Sequence, residues 1–125
     1  MPNTYTQLTY HIVFSTKRRE PLAIGGMPDH VHIVARLRAD PSVARVVQFI
    51  KGSSSSWLNH AEKHTGKFSW QEGYGAFTVS PPALQDVLAY VRDQEEHHRY
   101  KSFQEEYRRF LDSYHIEYDE RYLWD

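Results

Sequence analysis

Gly25-Gly26-Met27-Pro28-Asp29-His30-Val31-His32-Ile33-Val34-Ala35-Arg36-Leu37 is the stretch whose reading decides the fold. A turn-prone Gly-Gly and a Pro-Asp lead into alternation. His30, His32 and Val34 fall on one face of a strand, and Val31, Ile33 and Ala35 on the other. Two imidazoles therefore point the same way. Side chains two apart on one face are separated by roughly 6 to 7 Å along the strand, so converging rotamers can bring both rings onto one divalent ion. The plain alternative is a pair of polar residues tolerated on a wet face, and further ligands must decide between the two.

The 125-residue chain fits a single domain over residues 1–125, with 40% apolar and 14% aromatic residues arguing for a folded core rather than disorder. It has no cysteine, which excludes disulfides and thiolate metal sites. Its start lacks a basic segment followed by an apolar run, and no stretch approaches about eighteen apolar residues, so a soluble, cytoplasmic protein without a membrane partner is expected. The net charge of −1 conceals an asymmetry: residues 1–60 carry seven Lys/Arg against three Asp/Glu, and residues 61–125 eight against thirteen. Lys17, Arg18, Arg19, Arg36, Arg38, Arg45 and Lys51 could thus present a phosphate-binding face, or simply a solvated surface.

Upstream, Tyr5–Ser15 reads as a buried strand, Thr16–Pro21 as a loop and Leu22–Ile24 as a very short strand. Downstream, Asp40-Pro41-Ser42 opens a helix capped by Asp40, with Val43, Val46, Val47 and Ile50 on one stripe. Trp57 and Leu58 continue that stripe, so the helix is expected to run through Gly52–Ser56 to about residue 61. Phe68–Val79 reads as a glycine-interrupted strand pair or one bent strand. Ser80-Pro81-Pro82 begins a helix with Leu84, Val87, Leu88 and Val91 as its stripe. Tyr90 and Gln94 lie on its flank, one turn apart, and His97 and His98 near its end. Ser102–Glu105 has capping-box spacing and opens a last helix with Phe103, Tyr107, Phe110, Leu111 and Tyr114 inward. The order of elements gives an α+β fold, helices packed on a sheet.

The chain discriminates among classes that use histidines on strands. A histidine-triad hydrolase would want a third His where Val34 stands, and a cupin a Glu among Ala35, Arg36 and Leu37. What fits is His30-Val31-His32 followed by Tyr90-Val91-Arg92-Asp93-Gln94 in a helix. With Gly25–His32, Trp70-Gln71-Glu72-Gly73-Tyr74-Gly75 and Gln94–His98, this strongly resembles the HUH-type single-tyrosine transposases, especially the REP-associated ones, over nearly the whole chain.

The resemblance implies a ferredoxin-like antiparallel sheet with helices, a homodimer, and metal-dependent cleavage and rejoining of single-stranded DNA at hairpin-containing sites. It makes Tyr90 the nucleophile and His30, His32 and Gln94 the ligands of a divalent metal, Mg²⁺ or Mn²⁺. It suggests an active site shared between subunits, the histidines of one chain meeting the tyrosine helix of another, while the glycines of the Phe68–Ser80 link let that helix face its own histidines or a partner's. Where the family has a longer insertion with a helix, only Thr16–Pro21 intervene here, which points to a hairpin-like return without the first crossover helix. The alternative from another class is a non-catalytic single-strand DNA binder or regulator derived from such an enzyme.

Overall fold

In the computed structural model, which describes residues 5–17, 30–61, 69–93 and 103–123, the β-branched and aromatic run after Gln7 forms the central strand β1 (Leu8–Ser15). Ile12, Val13 and Phe14 are completely buried. The expected start at Tyr5 is too early, since Tyr5 is 88% exposed and has no sheet to cover. β2 (His30–Leu37) pairs antiparallel with β1, Ser15 opposite His30 and Leu8 opposite Leu37. β3 (Gly75–Thr78) pairs antiparallel on the other side of β1, giving the order β2-β1-β3. The antiparallel β1–β2 pairing agrees with a hairpin-like return; the short strand expected at Leu22–Ile24 lies outside the described residues. The fold is α+β.

Cross-strand partners share a face, so the register sorts the sheet into two surfaces. Tyr10, Ile12 and Phe14 join Val31, Ile33 and Ala76 on one surface, covered by α1 (Val43–Ala61) through Val43, Val47 and Ile50. α1 starts later than Asp40 suggests, because the Ser42 hydroxyl accepts the Arg45 N–H and acts as the cap. It continues through the serine run, where Ser54 Oγ donates to the Ile50 carbonyl at 2.6 Å and so satisfies its own hydroxyl inside the helix. Trp57 does not continue the buried stripe and is 63% exposed; Trp70, from the segment before β3, reaches the helix there instead, donating to Ser54 Oγ.

On the opposite surface, His11, Val13 and Ser15 of β1 align with His30, His32 and Val34 of β2 and with Gly75 and Phe77 of β3. α3 (Phe103–Ser113) lays Phe103, Tyr107 and Leu111 onto Val13 and Phe77. A Schellman motif ends α3: His115 adopts φ 57°, its N–H bonds to the Asp112 carbonyl, and the Ile116 N–H bonds to the Leu111 carbonyl. This reversal sends residues 116–123 back over the core, where Tyr118 and Leu123 pack and Arg108 forms a bidentate pair with Glu120. α2 (Leu84–Arg92), entered through a 3-10 turn at Pro81–Ala83, packs against β2, the edge strand. It buries no residue fully, and Leu88 of its expected stripe is 39% exposed.

Candidate metal centre and nucleophile

The alternation of β2 delivers both histidines to the α3 side of the sheet, and each ring is held by packing. His30 stacks on Phe103 with centroids 4.2 Å apart. His32 stacks on His11 at 5.0 Å, with His11 Nε2 and His32 Nδ1 2.8 Å apart. Facing them from α3 is Glu106, 3% exposed, whose Oε1 is 3.1 Å from His32 Nε2 and 3.8 Å from His30 Nε2. Its other oxygen, Oε2, accepts the hydroxyl of Tyr90. Tyr90 comes in from α2, its ring edge-on to Phe110 at 5.6 Å and 6.2 Å from the His32 ring. The nucleophile candidate and the histidine pair therefore meet within one chain, on opposite oxygens of one carboxylate.

The electrostatics follow from burial. His11 is held down to about 4, chiefly by desolvation and further by neighbouring His32, against an opposing pull from Glu106. It is neutral at pH 7. Tyr107, beside Glu106 on α3, is pushed up to about 12 by burial.

The donor set can take a cation. One ring nitrogen from each of His30 and His32 and one Glu106 oxygen all lie within 4.8 Å of one another. Two imidazoles and a carboxylate form a mixed nitrogen and oxygen set that Mn²⁺ and Zn²⁺ accept readily and Mg²⁺ accepts with additional water oxygens.

Of the residues singled out in the sequence, His30, His32 and Tyr90 are brought together, while Gln94, His97, His98, Arg18 and Arg19 lie outside the described residues. Lys17, Arg36, Arg38 and Arg45 are exposed. Lys51 turns inward on the α1 side: Nζ donates to the carbonyls of Gln71, Glu72 and Gly73 at 2.9, 3.2 and 2.7 Å and sits 5.0 Å from the Phe14 ring centroid. Burial lowers its pKa, and its charge is engaged with the 71–73 turn.

Two members of the site escaped the sequence reading. Glu106 stands three residues after Phe103 and four before Phe110, a carboxylate inside the apolar stripe of α3, and that misfit was the available signal. His11 stands in the buried phase of β1 between Thr9 and Val13, where an imidazole needs a partner.

A sheet face bearing a histidine pair, with a helical tyrosine beside it, defines the class of HUH-type single-tyrosine proteins. Residues 20–94 match the family described as "Transposase IS200 like", and the chain belongs to that family. The matched block contains His30, His32, Tyr90 and Gln94, whereas His11 and Glu106 lie on either side of it. None of the curated proteins compared matches the chain. Among the described residues, no helix is long and apolar enough to cross a membrane.

Proposed function

We propose that this transposase cleaves and rejoins single-stranded DNA at hairpin-containing sites, with Tyr90 as the nucleophile and a divalent ion held by His30, His32 and Glu106. The observation that carries the reading is the Glu106 carboxylate, which touches the histidine pair through one oxygen and the Tyr90 hydroxyl through the other. Gln94, four residues after Tyr90 in the sequence, is a further ligand by family resemblance. A bound ion, Mg²⁺ or Mn²⁺, would supply Lewis-acid stabilisation of charge on the scissile phosphate.

Tyr90 and Glu106 carry the chemistry that belongs to the chain. The Tyr90 oxygen forms a bond to phosphorus as the bond from phosphorus to the 3′ oxygen breaks, leaving a 5′-phosphotyrosine and a 3′ hydroxyl. Glu106 Oε2 is placed to accept the phenol proton, and the departing 3′ oxygen takes up one proton in exchange. A phenol with a free pKa near 10 is a weak nucleophile at neutrality, so a hydrogen-bonded carboxylate raises its reactivity. One phosphodiester replaces another, and the reverse reaction rejoins the strand.

The exposed Lys17, Arg36, Arg38 and Arg45 are the phosphate contacts in this reading, with Arg36 on the same face of β2 as the histidines. Incubating a labelled hairpin oligonucleotide with Mn²⁺ and resolving the protein under denaturing conditions tests it. Wild type becomes covalently labelled and Tyr90→Phe does not. Label on Tyr90→Phe makes another residue the nucleophile, Tyr74 first, and a wild type that binds the strand without labelling is a DNA binder only. If the protein is the homodimer that the family resemblance implies, mixed His30→Ala and Tyr90→Phe subunits stay inactive when each site is built within one chain, and regain activity when sites are shared.

A further inference from the structure

We infer that His11 is a positioning residue for His32: its ring nitrogen is the hydrogen-bond partner that lets His32 turn Nε2 toward a cation. His11 has this role only if His30, His32 and Glu106 hold the ion proposed above. A histidine that ligates through Nε2 carries its one proton on Nδ1, and a buried N–H needs an acceptor. His32 Nδ1 has His11 Nε2 at 2.8 Å. At the other end of the ring, His32 Nε2 faces Glu106 Oε1 at 3.1 Å.

These two contacts require opposite proton arrangements with and without an ion. Without one, a His32 ring carrying a single proton donates from Nε2 to the carboxylate, and Nδ1 then accepts from His11. With an ion at Nε2, the proton sits on Nδ1, and His11 must accept. A carbonyl or carboxylate at position 11 could serve only the second state. A neutral imidazole serves both, since its Nε2 is a donor in one tautomer and an acceptor in the other.

The placement is rigid. His11 is diagonal to His32 across the β1–β2 pair, opposite Val34, and 3% exposed. Phe110 is edge-on to it at 5.1 Å, and Phe77 lies 6.2 Å away. A side chain confined in this way fixes the plane of the imidazole stacked on it, which is how an outer partner sharpens metal affinity.

The test uses the full chain with ring-¹⁵N-labelled histidine. Long-range ¹H–¹⁵N spectra report the His32 tautomer without metal and with Mg²⁺, and Mn²⁺ affinity is read by electron paramagnetic resonance. In wild type, the His32 proton should move from Nε2 to Nδ1 when Mg²⁺ is added. His11→Phe, which keeps a ring and removes the partner, should weaken Mn²⁺ binding about 10- to 100-fold. His11→Gln, whose amide can donate or accept after a flip, should recover most of that loss. A folded His11→Phe protein that binds Mn²⁺ within about twofold of wild type overturns the role, as does a His32 tautomer indifferent to Mg²⁺ that wild type demonstrably binds. If His11→Phe fails to fold, the wild-type spectra and His11→Gln decide. A wild type that takes up neither ion refutes the metal site itself, an outcome seen without any variant.

Discussion

Gly75→Ala perturbs the site from beneath. Gly75 sits at the start of β3 opposite Val13, directly under Tyr107, and a Cβ there would lie 2.8 Å from Tyr107 Cε1, 3.0 Å from its hydroxyl oxygen and 3.1 Å from Phe77 Cε2. Neither ring has room to yield: Tyr107 is 5% exposed and stacked on Phe103, and Phe77 is 1% exposed. Overpacking of this kind costs about 1–3 kcal/mol. The smaller conformational freedom of alanine in the unfolded chain returns about 0.4–1 kcal/mol. The net loss is then about 1–2 kcal/mol, which for a chain of this size lowers Tm by about 4–8 °C. Because Tyr107 follows Glu106 on α3, the same displacement moves the carboxylate away from the histidines, and Mn²⁺ affinity should fall with stability. Thermal melts of Gly75→Ala, Tyr107→Leu and the double variant give the coupling, and the double variant should lose less than the two single losses together. A Gly75→Ala protein as stable as wild type would refute the contact between the glycine and the tyrosine ring.

Three further outcomes are expected. Glu106→Gln keeps the shape of the side chain and removes its charge, so calorimetric Mn²⁺ affinity should drop at least about tenfold, or about 1.4 kcal/mol; unchanged affinity would return the third protein ligand to Gln94. In chelator-treated protein the His11 imidazole binds more protons in the unfolded chain than in the folded one between pH 6.5 and about 4, because its pKa is depressed on folding. The His11 contribution to stability is therefore full above pH 6.5 and should be lost, by up to about 3 kcal/mol, toward pH 4; urea midpoints that fall equally in His11→Phe would assign the loss elsewhere. Finally, Mn²⁺ at about 100 times its Kd should stabilise the fold by about 2.7 kcal/mol, and a melting temperature insensitive to Mn²⁺ in wild type, or raised equally in His32→Ala, would remove the ion from this site.

Strict alternation made β2 and its two imidazoles legible, because one phase error would have put both histidines on the α1 side. The helix through Gly52–Ser56 was legible from Leu58, which stays partly buried, although Trp57 beside it does not. The stripe of α2 was misleading for a geometric reason: a helix lying on an edge strand has little sheet to cover, so its apolar residues remain half exposed while its flank, bearing Tyr90, turns to Glu106. Glu106 was hidden because a capping and periodicity argument assigns inward positions to apolar residues and passes over the carboxylate among them. The contact from His11 to His32 is a diagonal relation between strands, and no spacing within either strand contains it.

The sheet face that carries the site is also the face that carries the core. Val13, Phe77, Phe103, Tyr107 and Leu111 form one buried cluster, and His30, His32, His11 and Glu106 are set into the same layer. Polar groups so placed are costly unless each finds a partner, and here His11, His32, Glu106 and Tyr90 do so in series. The series links the Tyr90 hydroxyl to the histidine pair: any movement of Glu106 toward the imidazoles also moves the acceptor of the Tyr90 hydroxyl. α3 therefore does more than cover the sheet. Although it lies beyond the block matched by the family, it supplies the residue through which the histidine pair and the tyrosine constrain each other, so a shift of this helix alters both at once.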